Sequence, residues 1–162
     1  LVSATGLHKG SLYQAFGDKH ALFIQTLNRY LFNIRQHKKH VLDNAPDPLT
    51  GIRNVLHGFI DMNSGVADCP HGCMAVKMMV ELAPQDEDVE RIMKEHQAGM
   101  LQSMQKRLED AQADGSLAAD KSPAKIAYLL MIFMNGLASL AGKPMNHQEA
   151  HAILDAQLDA LL

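Results

Sequence analysis

The chain has 162 residues, with 15 Lys+Arg against 18 Asp+Glu for a net charge of −3 at neutral pH, and 47% of its residues are apolar. That length suits one medium domain, or a small domain joined to a larger one, and that apolar content can fill a core rather than leave the chain disordered. No apolar run approaches the ~18 residues that a membrane span needs, and no signal peptide is visible, so a cytoplasmic protein without a membrane partner is expected.

The net charge hides an asymmetry. Residues 1–42 carry six lysines and arginines against Asp18 alone, for +5, and residues 43–162 carry the balance of −8. A basic end on an acidic body suits a chain that offers one end to phosphates. A solvated basic face is the plainer alternative.

In chain order, Thr5 to Phe23 reads as turn, short helix, turn, long helix. Gly6 can take a positive φ at a sharp turn. His8-Lys9-Gly10-Ser11 opens the short helix, whose Leu12 and Phe16 share one face while Lys9, Tyr13 and Gln14 point elsewhere. Gly17-Asp18 closes it, and Asp18 suits the N-cap of the next helix. A helix this short needs a scaffold beneath Leu12 and Phe16. Its polar side then suits a DNA major groove: Lys9 for a phosphate or guanine edge, Gln14 for adenine, Ser11 and Tyr13 for phosphate oxygens. Gly10 permits close backbone approach, and Lys19 sits where free helix amides also favour a phosphate. His8 is either a contact or a plain turn residue. Leu7, Leu12, Phe16 and Leu22 are assigned to packing.

The run GLHKGSLYQAFGDKHALF resembles the helix-turn-helix core of the TetR family of bacterial transcription regulators. It departs from the family pattern at His8, Ala15 and His20. The resemblance places Lys9, Tyr13 and Lys19 among the usual DNA contacts. It implies an all-α protein in two parts: a partial helix-turn-helix over 1–22, with its first helix upstream of Leu1, and an effector-binding and dimerisation domain over 23–162.

Apolar spacing of three and four recurs through the rest of the chain, and nothing reads as a strand. Lys19 to Leu42 is predicted as one long helix, broken by Pro46 and Pro48. Leu49 to Asn63 is the next, with Ile52, Val55, Leu56, Phe59 and Ile60 inward. Ser64 to Gly72 is a loop, and Cys73 to Leu82 a short apolar helix stopped near Pro84. Asp86 to Asp114 is a long helix whose first-turn acids suit the helix dipole. Its inward stripe is Val89, Met93, His96, Met100, Met104, Leu108 and Ala111, and Gly115 ends it. Ser122-Pro123 starts a helix that is apolar on nearly every side to Leu140, so it calls for a second neighbour. Asn146 caps a last helix to Leu162. Two adjacent apolar helices at this end suggest a homodimer through a four-helix bundle, with Ile126, Leu130, Phe133, Leu137, Leu154, Leu158 and Leu161 at the interface. The alternative is that both complete a monomeric core.

Ten methionines fall from Met62 onward, and Met lines surfaces that accept varied apolar shapes. With the pocket that the resemblance implies, this gives a small apolar effector lying against Phe59, Met78, His96, Met100 and Phe133, against the alternative of an ordinary core. Cys69-Pro70-His71-Gly72-Cys73 sets two thiols four apart. A thiol at a helix start is a plausible redox or electrophile sensor, and a structural zinc would call for a second ligand pair that the sequence lacks. The function expected is a transcription regulator, a repressor by family habit, released from double-stranded operator DNA by its effector. A thiol-sensing regulator is the alternative. An enzyme using Cys69, His71 and Cys73 has no orienting third group, so no catalytic residue, metal or cofactor is expected.

Overall fold

The structure is a computed structural model, and it describes Ser3, Gly6 and residues 8–63, 73–140 and 146–162. The loop predicted over Ser64 to Gly72, with Cys69 and His71, lies outside the described residues, as do Leu7 and the side chain of Lys9. Among the described residues the regular structure is entirely helical, as expected. In chain order the helices are α1 (Lys9–Phe16), α2 (Lys19–Asp43), α3 (Pro48–Asn63), α4 (Met74–Lys77), α5 (Glu87–Ala113), α6 (Pro123–Leu140) and α7 (His147–Leu161). The chain divides into two compact units, Leu1–Gln36 and His37–Leu162, and α2 supplies residues to both.

Helix limits follow local chemistry. Asp86 accepts the Val89 N–H at 3.1 Å and caps α5, whose first turn carries Glu87, Asp88 and Glu90 at the positive end of the dipole. Asn146 caps α7 by accepting the Glu149 N–H at 2.7 Å. Asp47 accepts the Thr50 N–H at 2.8 Å just before Pro48 opens α3. Gly115 takes φ +83° to turn the chain out of α5.

One stretch departs from the single short helix expected over Cys73 to Leu82. Four α-helical residues pass into a π-helical turn, Met78–Leu82, and then a 3-10 turn, Ala83–Gln85. Pro84 accounts for the ending, since it has no N–H to continue the ladder.

In the larger unit α5 packs against α3, α6, the π turn and the 3-10 turn, and α3 also packs against α6 and α7. The core is built from Ile52, Leu56, Phe59 and Ile60 of α3, Val89, Ile92, Met93, Met104 and Leu108 of α5, Leu130 and Met134 of α6, and Leu154 and Leu158 of α7. Ile92 is buried although the predicted stripe omitted it, and Met100 is only half-buried although the stripe included it.

The last two helices require a correction. Ile126, Leu130, Leu154 and Leu158, expected at a dimer interface, are 4% exposed or less within the single chain. They complete the subunit's own core. Phe133, Leu137 and Leu161 are half-buried. The apolar side chains that point outward are instead Tyr128 (53% exposed), Leu129 (46%) and Ile132 (62%) on α6 and Ile153 (41%) on α7. An all-round apolar helix leaves the choice of inward side to the pattern of its neighbours, which spacing along α6 alone does not record.

Lys38 enters the larger unit from α2, and its Nζ donates to Met100 Sδ at 3.0 Å. Burial pushes its pKa down to about 8, with the charge of Cys73 acting in the opposite sense. Below pH 8 the folded chain must hold a poorly solvated ammonium. Between about 8 and 10.4 the folded side chain is neutral while the unfolded one is still charged, so this part of the stability rises with pH. Lys38→Met is therefore expected to stabilise the protein at pH 7 by about 1–3 kcal/mol, after discounting for partial exposure. The gain should vanish by about pH 10.5. Thermal melts of both proteins at pH 7 and pH 10.5 check this; an advantage that does not change with pH would rule out the buried charge as its source.

Candidate nucleic-acid interface

In the smaller unit, α1 has no side-chain N-cap among the described residues. His8 takes the N-cap position in extended conformation, but its side chain makes no cap hydrogen bond, and the Leu12 N–H reaches its carbonyl at 3.2 Å. The His8 side chain thus leaves the first-turn amides of α1 uncapped, which suits an anion at this end. Eight residues later the helix stops. The Gly17 N–H closes on the Tyr13 carbonyl at 2.8 Å, and Gly17 takes φ +91°, where a side chain would be strained. Asp18 follows at once as the cap of α2, accepting the Ala21 N–H at 2.8 Å. This two-residue joint fixes where α2 starts relative to the end of α1.

The faces of α1 then sort by spacing. Leu12 is buried and Phe16 half-buried, as the four-residue spacing predicts. Gly10, Ser11, Gln14 and Ala15 are exposed, as are His8 before the helix and Lys19 and His20 after it. Tyr13 is half-buried, so it is not turned wholly outward as the sequence reading had it. A carbon added at Gly10 would meet nothing within 4 Å among the described residues, so no packing with them demands glycine there. The exposed set offers a hydroxyl, an amide, an ammonium and two imidazoles around one short helix, and those groups can hydrogen-bond to phosphates and to base edges.

In the larger unit the five residues expected to meet an effector lie on elements that pack around α5. Phe59 of α3 and His96 of α5 are buried; Met78 in the π turn, Met100 of α5 and Phe133 of α6 are half-buried. π-Helical turns recur at functional sites because they displace side chains from the regular helical register. Cys73 is a buried free thiol at the N-cap of α4.

Residues 48–154 match the family described as "Tetracyclin repressor-like, C-terminal domain". The chain belongs to the TetR family of transcriptional regulators. Solved structures agree. The TetR family transcriptional regulator CifR, a cysteine mutant complexed with 26-bp double-strand operator DNA, is 26% identical at a TM-score of 0.87, the match covering 99% of this chain and 84% of that one. A putative TetR regulator from Rhodococcus sp. RHA1 is 27% identical at a TM-score of 0.70, covering 99% and 85%. The reduced form of NemR from E. coli is similar in fold, with 20% identity, a TM-score of 0.84 and coverage of 99% and 82%. Comparison with curated proteins returns no match.

This TetR-family chain also carries a polar seam that the sequence reading passed over. On α3, Arg53, His57 and Asp61 are four apart; on α7, His147, His151, Asp155 and Asp159 are four apart. The two rows face each other in antiparallel order. Arg53 donates to Asp159 at 2.7 Å, His57 Nε2 to Asp155 at 2.9 Å, and His151 and His147 reach Asp61 at 2.9 and 2.7 Å. Desolvation works against an ionised Asp61, but the bonds from His147 and His151 outweigh it and hold its pKa below the usual carboxylate value. The signal was present as histidines at i and i+4 on one helix. What the sequence could not supply was the pairing of α7 with α3.

Proposed function

We propose that this chain is a dimeric regulator that binds palindromic operator DNA through α1 and is released from it by a small apolar effector in the body, acting as a repressor. The observation that carries the DNA reading is the exposed polar face of α1, held over buried Leu12 and ended by Gly17 and the Asp18 cap. A groove-reading helix needs that division between a packed and a polar side. CifR, of similar fold and 26% identity, is described in complex with operator DNA, which supports carrying the same partner to this chain. His8, Lys9, Gly10, Ser11, Tyr13, Gln14 and Lys19 are the proposed contacts, the charged ones binding phosphate and Gln14 reading a base edge.

Dimerisation is assigned to the outward face of α6 and α7, through Tyr128, Leu129, Ile132 and Ile153. Large exposed apolar side chains on two helices that follow one another in the chain are the kind of surface that a second copy buries. The heads of such a dimer must match the repeat of the duplex, so an effector bound better by the other spacing lowers DNA affinity by population shift. Phe59, Met78, His96, Met100 and Phe133 are the proposed effector contacts.

One observation favours a second reading, a thiol-based sensor. Cys73 is a free thiol, and its charge and that of the partly buried Lys38 interact. Cys69 would be its partner or resolving thiol.

Tyr13→Ala is expected to abolish gel-shift binding to duplexes selected from a random pool by the unmodified protein, with the helical circular dichroism unchanged; retained affinity would count against α1 as the reading helix. Ile132→Glu is expected to turn the dimer into monomer in sedimentation experiments, since each copy would bury an unpaired carboxylate. Iodoacetamide should label Cys73 faster than a free thiol at neutral pH under the sensing reading, and Lys38→Met should remove the advantage. Labelling slower than the free thiol would leave Cys73 as buried packing.

A further inference from the structure

Three ligand atoms converge where α7 crosses the C-terminal part of α3. His147 Nε2 and Asp61 Oδ1 are 2.7 Å apart, His151 Nε2 and Asp61 Oδ1 2.9 Å, and the two imidazole nitrogens 3.1 Å. Their arrangement follows from the chemistry of the seam. Asp155 can only accept, so the hydrogen on His57 lies on Nε2, which donates to it at 2.9 Å. Nδ1 of a neutral His57 is then an acceptor, and it stands against Nδ1 of His151, with the two rings stacked at 4.7 Å. In the neutral tautomer that donates from Nδ1 to His57, His151 presents its Nε2 to Asp61 and His147 as an acceptor, the form in which an imidazole binds a metal through Nε2. Three ligand atoms this close can be bridged by protons on the imidazoles, or by a cation that takes the place of those protons.

We propose that Asp61, His147 and His151 bind a divalent transition-metal ion of the zinc class, with His57 and Asp155 as the groups that orient His151. The ligand set decides the class. Two imidazole nitrogens and one carboxylate oxygen suit zinc and its neighbours, whereas calcium and magnesium take oxygen alone. A tetrahedral ion with bonds of 2.0–2.1 Å holds its ligand atoms about 3.3 Å apart, so the three atoms need to open by only a few tenths of an ångström. Three protein ligands leave the fourth position for water, and the cluster is open to solvent: the side chains of His147, His151 and Asp61 are 35%, 21% and 56% exposed. Asp155–His57–His151 forms the carboxylate-to-histidine relay that fixes the tautomer and ring plane of a metal-bound imidazole. The ion would join α3 to α7 across a seam that otherwise rests on hydrogen bonds. It uses neither cysteine, so it is separate from the Cys69-His71-Cys73 run.

Calorimetric titration of the chelator-treated full chain with zinc chloride tests this, with Co2+ absorption spectra as a probe of geometry. One equivalent per chain is expected, with a raised melting temperature and the visible bands of tetrahedral cobalt without thiolate charge transfer. The Cys69→Ser, Cys73→Ser double variant should behave the same way. His151→Gln and Asp61→Asn should each abolish saturable binding while remaining helical, and His57→Ala should weaken it 10–100-fold. Absence of saturable binding, or binding unchanged in both His151→Gln and Asp61→Asn, would overturn the proposal; so would loss of binding in the cysteine variant alone. DNA binding plays no part in these readouts, so the two proposals fail separately.

Discussion

The larger unit depends on one helix having neighbours on several sides. α5 buries Val89, Ile92, Met93, His96, Met104, Leu108 and Ala111, a stripe that widens at Ile92–Met93 beyond a single face. A stripe of that width cannot be covered by one partner. α3, α6 and the π turn share the task, and each is held in place by facing α5. Most of the stabilisation comes from that shared burial, since helix propensity contributes little beside packing. The polar ends of α5 are then free to be used locally. Asp86 caps its start, and near its other end Arg107 pairs with Asp43, the last residue of α2.

A different constraint governs α6. Its inner side, Ile126, Ala127, Leu130, Met134 and Ala138, is satisfied within the subunit, yet its outer side carries Tyr128, Leu129 and Ile132. Scattered exposed apolar residues are ordinary, but three large ones within five residues of a single helix make a demand for burial. The sequence showed that α6 was apolar on all sides and hence needed a second neighbour. It did not show which residues faced the first neighbour. Ile126, Leu130, Leu154 and Leu158 are the most regularly spaced apolar positions, and regular spacing marks the inward side as readily as the outward one.

The same distinction separates what was legible in the chain from what was not. Caps and turns are local chemistry, so Asp18, Gly17, Gly115 and Asn146 could be placed from their neighbours alone. The helix-turn-helix was legible because its joint is a sequence-local device: Leu12 and Phe16 in packing positions, then Gly17 and Asp18. The π turn at Met78–Leu82 was not, because a π turn has the same composition as the α-helix around it. Tyr13 is half-buried rather than turned outward, since a long side chain beside a packed face covers part of that face.

The α3–α7 seam shows why the least legible feature is a pairing between distant helices. Each row taken alone is unremarkable: Arg53, His57 and Asp61 on one helix, His147, His151, Asp155 and Asp159 on another, each a solvated stripe by its own spacing. Antiparallel packing brings acceptor against donor at one end, where Arg53 meets Asp155 and Asp159 at 3.9 and 2.7 Å. At the other end the same packing brings imidazole against imidazole and carboxylate. Exposed ion pairs such as Arg53–Asp159 contribute little to stability, typically under ~1 kcal/mol. If stability were the only purpose, apolar residues at His57, His147 and His151 would extend the core beside Ile60 and Leu154. A row of histidines in that place gives up this burial, and a ligand that the histidines can coordinate is the physical return that would offset the loss.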